Sequence, residues 1–566
     1  MADARLIVFT LGLVVLTLGL AYKSIAWYWS LVPLAAYAAL VVAHERLRRG
    51  THRASRAVDF YQRGLRRFDG SWPGTGLTGE RFLDTEHPYA ADLDLFGRGS
   101  LFERICSART RAGEETLAAW LLAPADAVTV RSRQEAVEEL GPRLDLREDL
   151  ELLGADVREG IDPESLARWG NEAGVFRSRA PRVAATLLGA AAVGSLVTWG
   201  LSEFGSIPLF LVILAEFAFA LRQKGRVRTV LHAIERRGHD LVLLSGLLAR
   251  LEGEVFQSAE LRRLREALRT DGEPASRRIA RLARLLHLLD TGHNQFFAPF
   301  AALLLWTTQL AMFVDAWRVR TGPAISTWLA AVGQFEALCS LAAYAYENPD
   351  DPFPEIEGRD VCFDAEAVGH PLIAQAVCVR NDVRLGGELR VMLVSGSNMS
   401  GKSTLLRTVG VNTVLALAGG PVRARRLKVS VVAVGATLRI QDSLQAGRSR
   451  FYAELTRVRL LVEISKGERP LLFLLDEVFH GTNSHDRAVG AGAVVRGLID
   501  RGAVGLVTTH DLALAEFAEN LAPRAENVHF EDQLVDGAMR FDFRMRPGVV
   551  RHSNALALMR AVGLDV

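Results

Sequence analysis

The sequence predicts a multidomain α + α/β fold with transmembrane helical hairpins, a helical core and a C-terminal α/β domain whose sheet is mostly parallel. Three observations lead to this prediction. Two pairs of long apolar runs lie in the first half of the chain, and apolar residues recur at helical spacing around them. Short apolar strands and helices follow one another after residue 355. The 566 residues are enough for several domains.

The first pair of apolar runs is the predicted N-terminal transmembrane hairpin, residues 1–50. Leu6–Tyr22 and Ile25–Val42 are uncharged, and each is about the length needed to cross a bilayer, roughly 17–25 residues. A cleaved signal peptide is the alternative for the first run, but the second run follows it at once. Arg46, Arg48 and Arg49 predict cytoplasmic ends, whereas Lys23 in the connection opposes this orientation.

A basic connecting segment is predicted at 51–90, and a helical core at 91–346 that carries a second membrane hairpin at 183–221. Val183–Leu201 is uncharged, and Ile207–Leu221 carries only Glu216. Basic residues flank the pair on its outer sides: Arg177, Arg179, Arg182, Arg222, Lys224, Arg226 and Arg228. The connection between the runs has none, which predicts that both ends lie in the cytoplasm.

Phe296–Val314 is a fifth apolar run, which we interpret as a buried or membrane-apposed helix because it contains polar residues. A short helical hairpin through Ser340 is the alternative. The prolines and acids of Asn348–Pro354 predict a linker before an α/β domain at 355–566. The net charge of +2 gives no global electrostatic argument for nucleic acid. Four widely spaced cysteines predict reduced core residues.

The stretch Val391–Leu406 matches the phosphate-binding pattern G-x-x-x-x-G-K-[ST] between a predicted strand and a predicted helix. Glycines let backbone N–H groups face phosphate oxygens, the lysine neutralises phosphate charge, and the serine hydroxyl binds Mg²⁺. The residues predicted to contact the nucleotide are Gly396, Ser397, Asn398, Met399, Ser400, Gly401, Lys402, Ser403 and Thr404. An accidental glycine turn is the alternative.

Pro470–Glu477 is an apolar run that ends in two carboxylates, which predicts a buried parallel strand with acids at its carboxyl end. Asp476 is predicted to hold Mg²⁺ together with Ser403, and Glu477 to orient or deprotonate the attacking water. A further strand, Ala503–Thr508, places His510 at the same sheet edge. His510 is therefore predicted to be catalytic, although a lone histidine is usually structural.

These residues resemble the ATPase domain of the MutS mismatch-repair proteins. The family's loop reads G-P-N-M-G-G-K-S-T, and its Asn-Met pair is present here as Asn398-Met399. Gly369-His370-Pro371 resembles the family's G-[RK]-H-P entry, and Gly447–Glu454 resembles its G-x-S-T-F-x-x-E segment. The chain departs from the pattern where Ser400 replaces a glycine, Arg450 a threonine and Phe479-His480 a Gly-Arg pair.

The resemblance implies ATP and Mg²⁺ as cofactors and a homodimer whose ATP sites are completed across the interface. In that arrangement Ser449 acts on the γ-phosphate bound by the other subunit, and an ordinary basic turn is the alternative for this segment. The resemblance also implies His510 as the γ-phosphate sensor, His370 as a nucleotide contact and double-stranded DNA as a partner.

The predicted function is a MutS-like ATPase in the cell membrane, multi-pass, with its ATPase domain cytoplasmic. DNA mismatch or damage binding is implied by the family. Against it, we expect no globular mismatch reader before residue 90, and the second hairpin lies about where the family inserts its DNA clamp. The alternative is an ABC-like membrane ATPase, or an ATP-gated membrane scaffold, that does not act on DNA.

Overall fold

A computed structural model of the chain describes residues 2–20, 27–158, 162–201, 205–292, 297–358, 360–438, 450–479, 484–510, 512–535 and 538–550. It divides into two compact units, Met1–Arg66 and Arg67–Val566. The first unit holds α1 (Ala2–Leu20), a 3-10 turn (Trp27–Ser30) and most of α2 (Leu31–Asp69). Large apolar side chains of both helices face outward, among them Leu6, which is 67% exposed, and Leu34, which is 61% exposed.

The first part of the second unit is helical. Its helices are α3 (Leu101–Ile105), α4 (Arg111–Leu122), α5 (Ala127–Leu140), α6 (Leu144–Arg158), α7 (Pro163–Asn171), α8 (Ala180–Gly200), α9 (Ile207–Glu252), α10 (Ala259–Ala267), α11 (Ala275–Thr291), α12 (Ala298–Leu303), α13 (Trp306–Thr321) and α14 (Ile325–Glu347). A small hairpin joins α10 to α11 through β1 (Arg269–Thr270) and β2 (Glu273–Pro274), and 3-10 turns lie at Glu80–Phe82 and Gly322–Ala324.

Helix α14 lies at the centre of this helical part, and most of its side chains are buried. Its Glu336 is buried as well, and the carboxylate accepts hydrogen bonds from the N–H groups of Arg109 and Thr110 at 3.1 Å each. Burial is the main cause that raises the pKa of Glu336, and the hydrogen bonds oppose it. Because Thr110 is the N-cap of α4, this contact fixes the start of α4 against α14.

Three helices among the described residues are long and apolar enough to cross a membrane: Tyr28–Asp69, Ala180–Gly200 and Trp306–Glu347. The last of these joins α13 and α14, and 72% of its apolar 18-residue stretch is buried, as expected for a core helix. The fifth apolar run of the sequence is broken within the structure, since Leu305 separates α12 from α13 with φ at 48°. Its second half enters the core through Leu310, Ala311, Met312 and Val314.

The rest of the second unit is the α/β domain. Its strands are β3 (Glu355–Glu357), β4 (Cys362–Val368), β5 (Asn381–Gly386), β6 (Val391–Ser395), β7 (Arg426–Ser430), β8 (Ala433–Thr437), β9 (Leu471–Asp476), β10 (Val504–Thr509), β11 (Ala525–Val535) and β12 (Ala538–Pro547). Its helices are α15 (Lys402–Ala418), α16 (Arg450–Ile464), α17 (Ser484–Ile499) and α18 (Leu512–Glu519).

Within the described residues the strands form a six-stranded sheet in the order β12-β11-β6-β10-β9-β8 and a four-stranded sheet in the order β3-β7-β4-β5. In the larger sheet only the β11–β12 pair is antiparallel. The strands β6, β9 and β10 are continuous apolar runs because helices cover both faces of such a sheet. The α + α/β fold with a mostly parallel sheet is therefore confirmed.

A segment before the helical part packs on the α/β domain. Asp92 is 1% exposed, and its carboxylate accepts a hydrogen bond from Leu438 N at 2.8 Å and pairs with Arg457 Nη2 at 2.7 Å. The same segment contacts α15 at two positions. Arg407 Nε donates to Asp92 O at 3.1 Å, and one turn later a Cβ on Gly410 would lie 2.5 Å from Leu93 Cδ2. The α/β domain is thus held by residues far from it in sequence.

Candidate nucleotide-binding site

Three parallel strands end at the same edge of the six-stranded sheet, and each is followed by residues that the sequence singles out. Ser395 at the end of β6 lies opposite Thr509 of β10, and Thr508 lies opposite Asp476 at the end of β9. The phosphate loop, the acidic pair and His510 therefore start from neighbouring positions. This is the edge at which open α/β sheets bind ligands.

The loop between β6 and α15 has the backbone conformation that an anion site requires. Gly396, Met399 and Gly401 have φ values of 147°, 69° and 106°. A Cβ on Gly396 would lie 2.8 Å from Ser400 Oγ and 3.0 Å from Phe530 O, so the space as well as the φ angle requires glycine. Gly401 is the N-cap of α15. The unpaired N–H groups and the positive dipole end of this helix therefore face the loop.

Lys402 is the first residue of α15, and its side chain is 5% exposed. Its ammonium donates to the carbonyl oxygens of Gly396 at 2.9 Å and Ser397 at 3.0 Å, and it lies 3.6 Å from Glu477 Oε1. Burial lowers the pKa of Lys402, while Glu477 and Asp476 act in the opposite direction. The ammonium is thus a cation held inside the loop that an anion would enter.

The acidic pair is positioned by a threonine of the neighbouring strand. The Thr508 hydroxyl donates to Asp476 Oδ1, and Thr508 Oγ1 itself accepts a hydrogen bond from Glu477 N at 3.0 Å. Glu477 has φ at 48°, a left-handed conformation that turns its carboxylate away from the strand direction. The single hydroxyl of Thr508 therefore orients one acid by its side chain and the other by its backbone.

His510 contacts both Glu477 and Lys402. Its Nε2 lies in close contact with Glu477 Oε1 and 3.2 Å from Lys402 Nζ. Because the carboxylate can only accept, the closer contact assigns the proton to Nε2, which then donates to Glu477. Lys402, Glu477 and His510 form one connected group, and the ring of His510 is 36% exposed beside it.

Two serines of the loop leave buried hydroxyl oxygens without a hydrogen-bond partner among the described residues, Ser397 Oγ and Ser400 Oγ. Buried polar atoms are normally paired, so such an arrangement fits a ligand that supplies acceptor oxygens. Together with the loop N–H groups and the ammonium of Lys402, these hydroxyls fit the phosphates of a nucleotide. Asp476 and Ser403 supply the oxygen ligands that Mg²⁺ prefers.

Residues 392–565 match the family model of MutS domain V. This part of the chain is a MutS domain V. It is 35% identical over 245 residues to the DNA mismatch repair protein MutS 2 of Halobacterium salinarum, which covers 43% of this chain and 27% of that protein. It is 34% identical to the endonuclease MutS2 of Thermus thermophilus over 34% of this chain and 25% of that protein.

A longer match extends into the helical part. The chain is 26% identical over 520 residues to the DNA mismatch repair protein MutS of Myxococcus xanthus, which covers 82% of this chain and 56% of that protein. The chain thus spans between about a quarter and about half of the length of these three relatives. The family assignment therefore rests chiefly on the MutS domain V region.

Two residues predicted for the MutS site do not lie in the connected group. His370 is buried against α15, where its Nδ1 accepts from Leu372 N at 3.2 Å. Burial lowers the pKa of His370 to about 4, and the charges of Arg407 and Arg423 act in the same direction. Its contacts are therefore those of a neutral packed residue, and its nucleotide contact stays a prediction. Ser449 lies outside the described residues.

Two residues of the MutS domain site were not found by sequence reasoning. Thr508 was seen only as part of an apolar strand, and a hydroxyl at the strand end next to an acidic pair is the signal that could have revealed it. Phe543 of β12 is the second, because a Cβ on Gly401 would lie 3.1 Å from Phe543 Cδ1. Asn381 holds this strand by donating to Phe543 O at 3.0 Å and accepting from Met545 N at 2.8 Å.

The phosphate-loop helix is tied to α14 by a buried polar cluster, which we name the α14–α15 joint: Tyr344, Asn348, Asp351, Asn412 and Arg423. Asn412 of α15 accepts from Arg423 N at 2.8 Å. The Arg423 guanidinium donates to Asp351 Oδ2 and Asn348 Oδ1, both at 2.8 Å, and Tyr344 donates to Asp351 at 3.2 Å. The predicted linker is thus a packed connection that joins the MutS domain to the helical part.

Proposed function

We propose that the chain is a membrane-anchored MutS-type ATPase that binds and hydrolyses ATP as a dimer. The observation that carries this proposal is the connected group of Lys402, Glu477 and His510 beside Asp476 at the carboxyl edge of the sheet. The loop N–H groups and Lys402 bind the β- and γ-phosphates. Asp476 and Ser403 would hold Mg²⁺, which when bound would supply charge neutralisation at the phosphates.

Glu477 orients the attacking water and accepts its proton, since its carboxylate lies at the phosphate loop within 3.6 Å of Lys402. Thr508 keeps this acid in position through the backbone N–H of Glu477. The Nε2–H of His510 is the group that senses the γ-phosphate, because it donates to the Glu477 carboxylate beside the phosphate loop and the His510 ring is partly exposed. Loss of the γ-phosphate then changes the hydrogen bonds of His510 and Glu477.

The dimer proposal concerns Ser449, which would complete the ATP site of the other subunit. Mixing two inactive variants tests it, Lys402→Ala with Ser449→Ala. In a heterodimer one site carries both defects and the other carries none, so random mixing should restore about a quarter of the wild-type turnover. Sites completed within one subunit would leave the mixture inactive. Each variant alone is the control.

Membrane anchoring is supported by the outward-facing apolar side chains of α8 and the start of α9. Leu187 of α8 is 65% exposed and Phe210 of α9 is 65% exposed, which is unusual on a surface that faces water. Arg182 donates to Met312 O at 2.9 Å, which places this basic flank next to the core helix α13. The chain should stay in the membrane pellet after extraction with alkaline carbonate, and its release would contradict the anchoring.

The α14–α15 joint supports the proposal that the nucleotide state moves the helical part. Lys402 begins α15 and Asn412 lies on the same helix, so a displacement of the loop shifts the acceptor of the Arg423 N–H. Arg423 in turn holds Asp351, which lies four residues after the end of α14. The contacts of this joint are the route by which the ATP site and α14 would be coupled.

Mismatch repair and DNA cleavage are the activities that the relatives' names carry, and we propose DNA binding for this chain on that basis. A second candidate, an ATP-gated membrane scaffold without DNA, is favoured by the exposed apolar side chains of α8 and of the start of α9. Binding of the detergent-solubilised chain to mismatched and matched duplexes at two salt concentrations separates them. Binding that prefers the mismatch supports repair, and no binding supports the scaffold.

Nucleotide binding by Lys402→Ala tests the site itself. Removing the ammonium should reduce ATP affinity by at least about 100-fold, because a buried charge-assisted contact to phosphate is lost. Lys466→Ala is the matched control, since its ion pair with Glu463 is exposed. Unchanged ATP affinity in Lys402→Ala would overturn the assignment.

A further inference from the structure

A groove with a volume of about 1000 Å³ lies between α9 and α11 and includes Thr308 of α13. The two helices run antiparallel, because Ser276 N at the start of α11 donates to Glu252 Oε1 at the end of α9 at 3.0 Å. They touch at Gly238, where a Cβ would lie 2.6 Å from Leu286 Cδ1. Since α11 ends at Thr291, the groove continues along α9 beyond the end of its partner helix.

The walls of the groove are apolar at the end where it approaches the start of α9. Phe217, Ala220 and Leu221 line it there, and Phe217 and Leu221 are 61% and 54% exposed. These residues belong to the apolar stretch Ile207–Leu221, which we propose to lie in the membrane. The groove is thus continuous with the surface that acyl chains would contact.

Two cations line the groove directly after this apolar end, Lys224 and Arg228, and both are exposed. They lie about one turn apart on α9, roughly 6 Å along the axis. The acidic lining residues Glu235 and Asp290 come later along the groove. A ligand that fits this order has an apolar tail and an anionic head, with the head at the level where the helix leaves the bilayer.

We propose that this groove binds an anionic phospholipid, with its phosphate between Lys224 and Arg228 and its acyl chains against Phe217, Ala220 and Leu221. The proposal rests on the proposed membrane anchoring for its setting in the cell, because anchoring brings the apolar end of the groove to the bilayer. It adds a specific lipid site to that anchoring. The site occupies α9, the helix that also packs against α11 and α13 of the helical part.

The purified full chain in mild detergent, titrated with phosphatidylglycerol or phosphatidylcholine and examined by native mass spectrometry, tests the groove. One phosphatidylglycerol should be retained in preference to phosphatidylcholine. In the double variant Lys224→Glu/Arg228→Glu, retention of phosphatidylglycerol should fall by about 10-fold or more, because each basic residue contributes to the electrostatic attraction of the anionic lipid. Ala220→Trp should reduce retention similarly by filling the apolar end.

The matched control is Arg222→Glu/Arg226→Glu, which makes the same charge change on the same part of α9 at residues that do not line the groove. Its phosphatidylglycerol retention should stay within about 2-fold of wild type. An equal loss in both double variants would mean general surface attraction and would overturn the groove site. Equal retention of the two lipids would overturn it as well.

Carbonate extraction of the same variants keeps the two proposals apart. If the wild-type chain is extracted but still retains phosphatidylglycerol in detergent, the anchoring fails and the groove stands. If the chain stays in the membrane without a lipid preference, the groove alone fails. Lys224→Glu/Arg228→Glu should remain in the membrane pellet, because its apolar helices are unchanged.

Discussion

Replacing Arg423 by methionine should destabilise the connection between the MutS domain and the helical part. The side chains of Arg423 and Asp351 are 3% and 2% exposed, and their closest atoms, Nε and Oδ2, are 2.8 Å apart. The variant removes the cation and leaves the Asp351 carboxylate buried with the Tyr344 hydroxyl as its side-chain donor. A buried charge that loses its partner is one of the costliest single changes in a protein.

The magnitude follows from the geometry of the pair. Breaking a buried ion pair by removing one partner costs about 3–5 kcal/mol. We expect the lower end, about 3 kcal/mol. Arg423 Nη1 has no hydrogen-bond partner among the described residues, so the cost of burying the Arg423 charge is only partly offset in the wild type. For a domain of this size that corresponds to a fall of roughly 6–12 °C in the melting temperature.

Thermal unfolding of the full chain in detergent measures this loss, and hydrogen exchange in Ile325–Glu347 with and without ATP measures the coupling to α14. The double variant Arg423→Met/Asp351→Leu should recover most of the stability, because no buried charge is left unpaired. It should not recover the ATP-dependent change in exchange. Arg384→Met is the matched control, since its pair with Asp364 is exposed and should contribute less than about 1 kcal/mol.

Two results would contradict a stabilising role of the Arg423–Asp351 pair. A melting temperature of Arg423→Met equal to that of the Arg384→Met control would mean that the buried pair does not hold the two parts together. A loss in the double variant equal to the sum of the two single losses would mean that Arg423 and Asp351 act independently.

Three further outcomes are expected. Thr508→Val should lower ATP turnover by about 10–100-fold with ATP affinity nearly unchanged, because the acids lose the hydroxyl that positions them. The control is Thr413→Val, which should leave turnover unchanged in the same assay because the Thr413 hydroxyl bonds within α15. His510→Gln should lower kcat by about 100-fold in steady-state kinetics, and a normal kcat would remove it from the site. The pKa of His370 is about 4 in the folded chain, below its ordinary value of 6.5. Between these two pH values the unfolded chain therefore binds a proton that the folded chain does not, and the stability falls as the pH drops from 6.5 toward 4. At pH 5 this loss is about 2 kcal/mol relative to neutral pH, and melting curves of His370→Asn should show less pH dependence than those of wild type.

Local patterns carried the sequence prediction of the α/β domain. The phosphate-binding pattern predicts a strand before it and a helix after it, and the structure has β6 and α15 at these places, because a loop that binds phosphate has a fixed length between them. The acids of Asp476 and Glu477 lie at the end of β9 as expected from an apolar strand that is buried on both faces.

Contacts between distant residues could not be read from the sequence in the same way. Asp92 looked like part of a helical core, yet its carboxylate bonds to Leu438 and Arg457 of the α/β domain. Arg423 lies in an unremarkable basic turn, and its role appears only when Asp351 is brought next to it. Such pairs are set by the tertiary fold, whereas hydropathy and motif spacing report local structure.

The proposed ATP hydrolysis depends on Glu477 as the residue that activates water. The most direct test is single-turnover hydrolysis by Glu477→Gln with the bound nucleotide analysed after rapid filtration. The variant should retain ATP with near wild-type affinity and convert it to ADP at least about 100-fold more slowly, because the amide keeps the shape of the side chain but cannot accept the proton. Conversion at the wild-type rate would contradict the assignment of Glu477 and the site built around it.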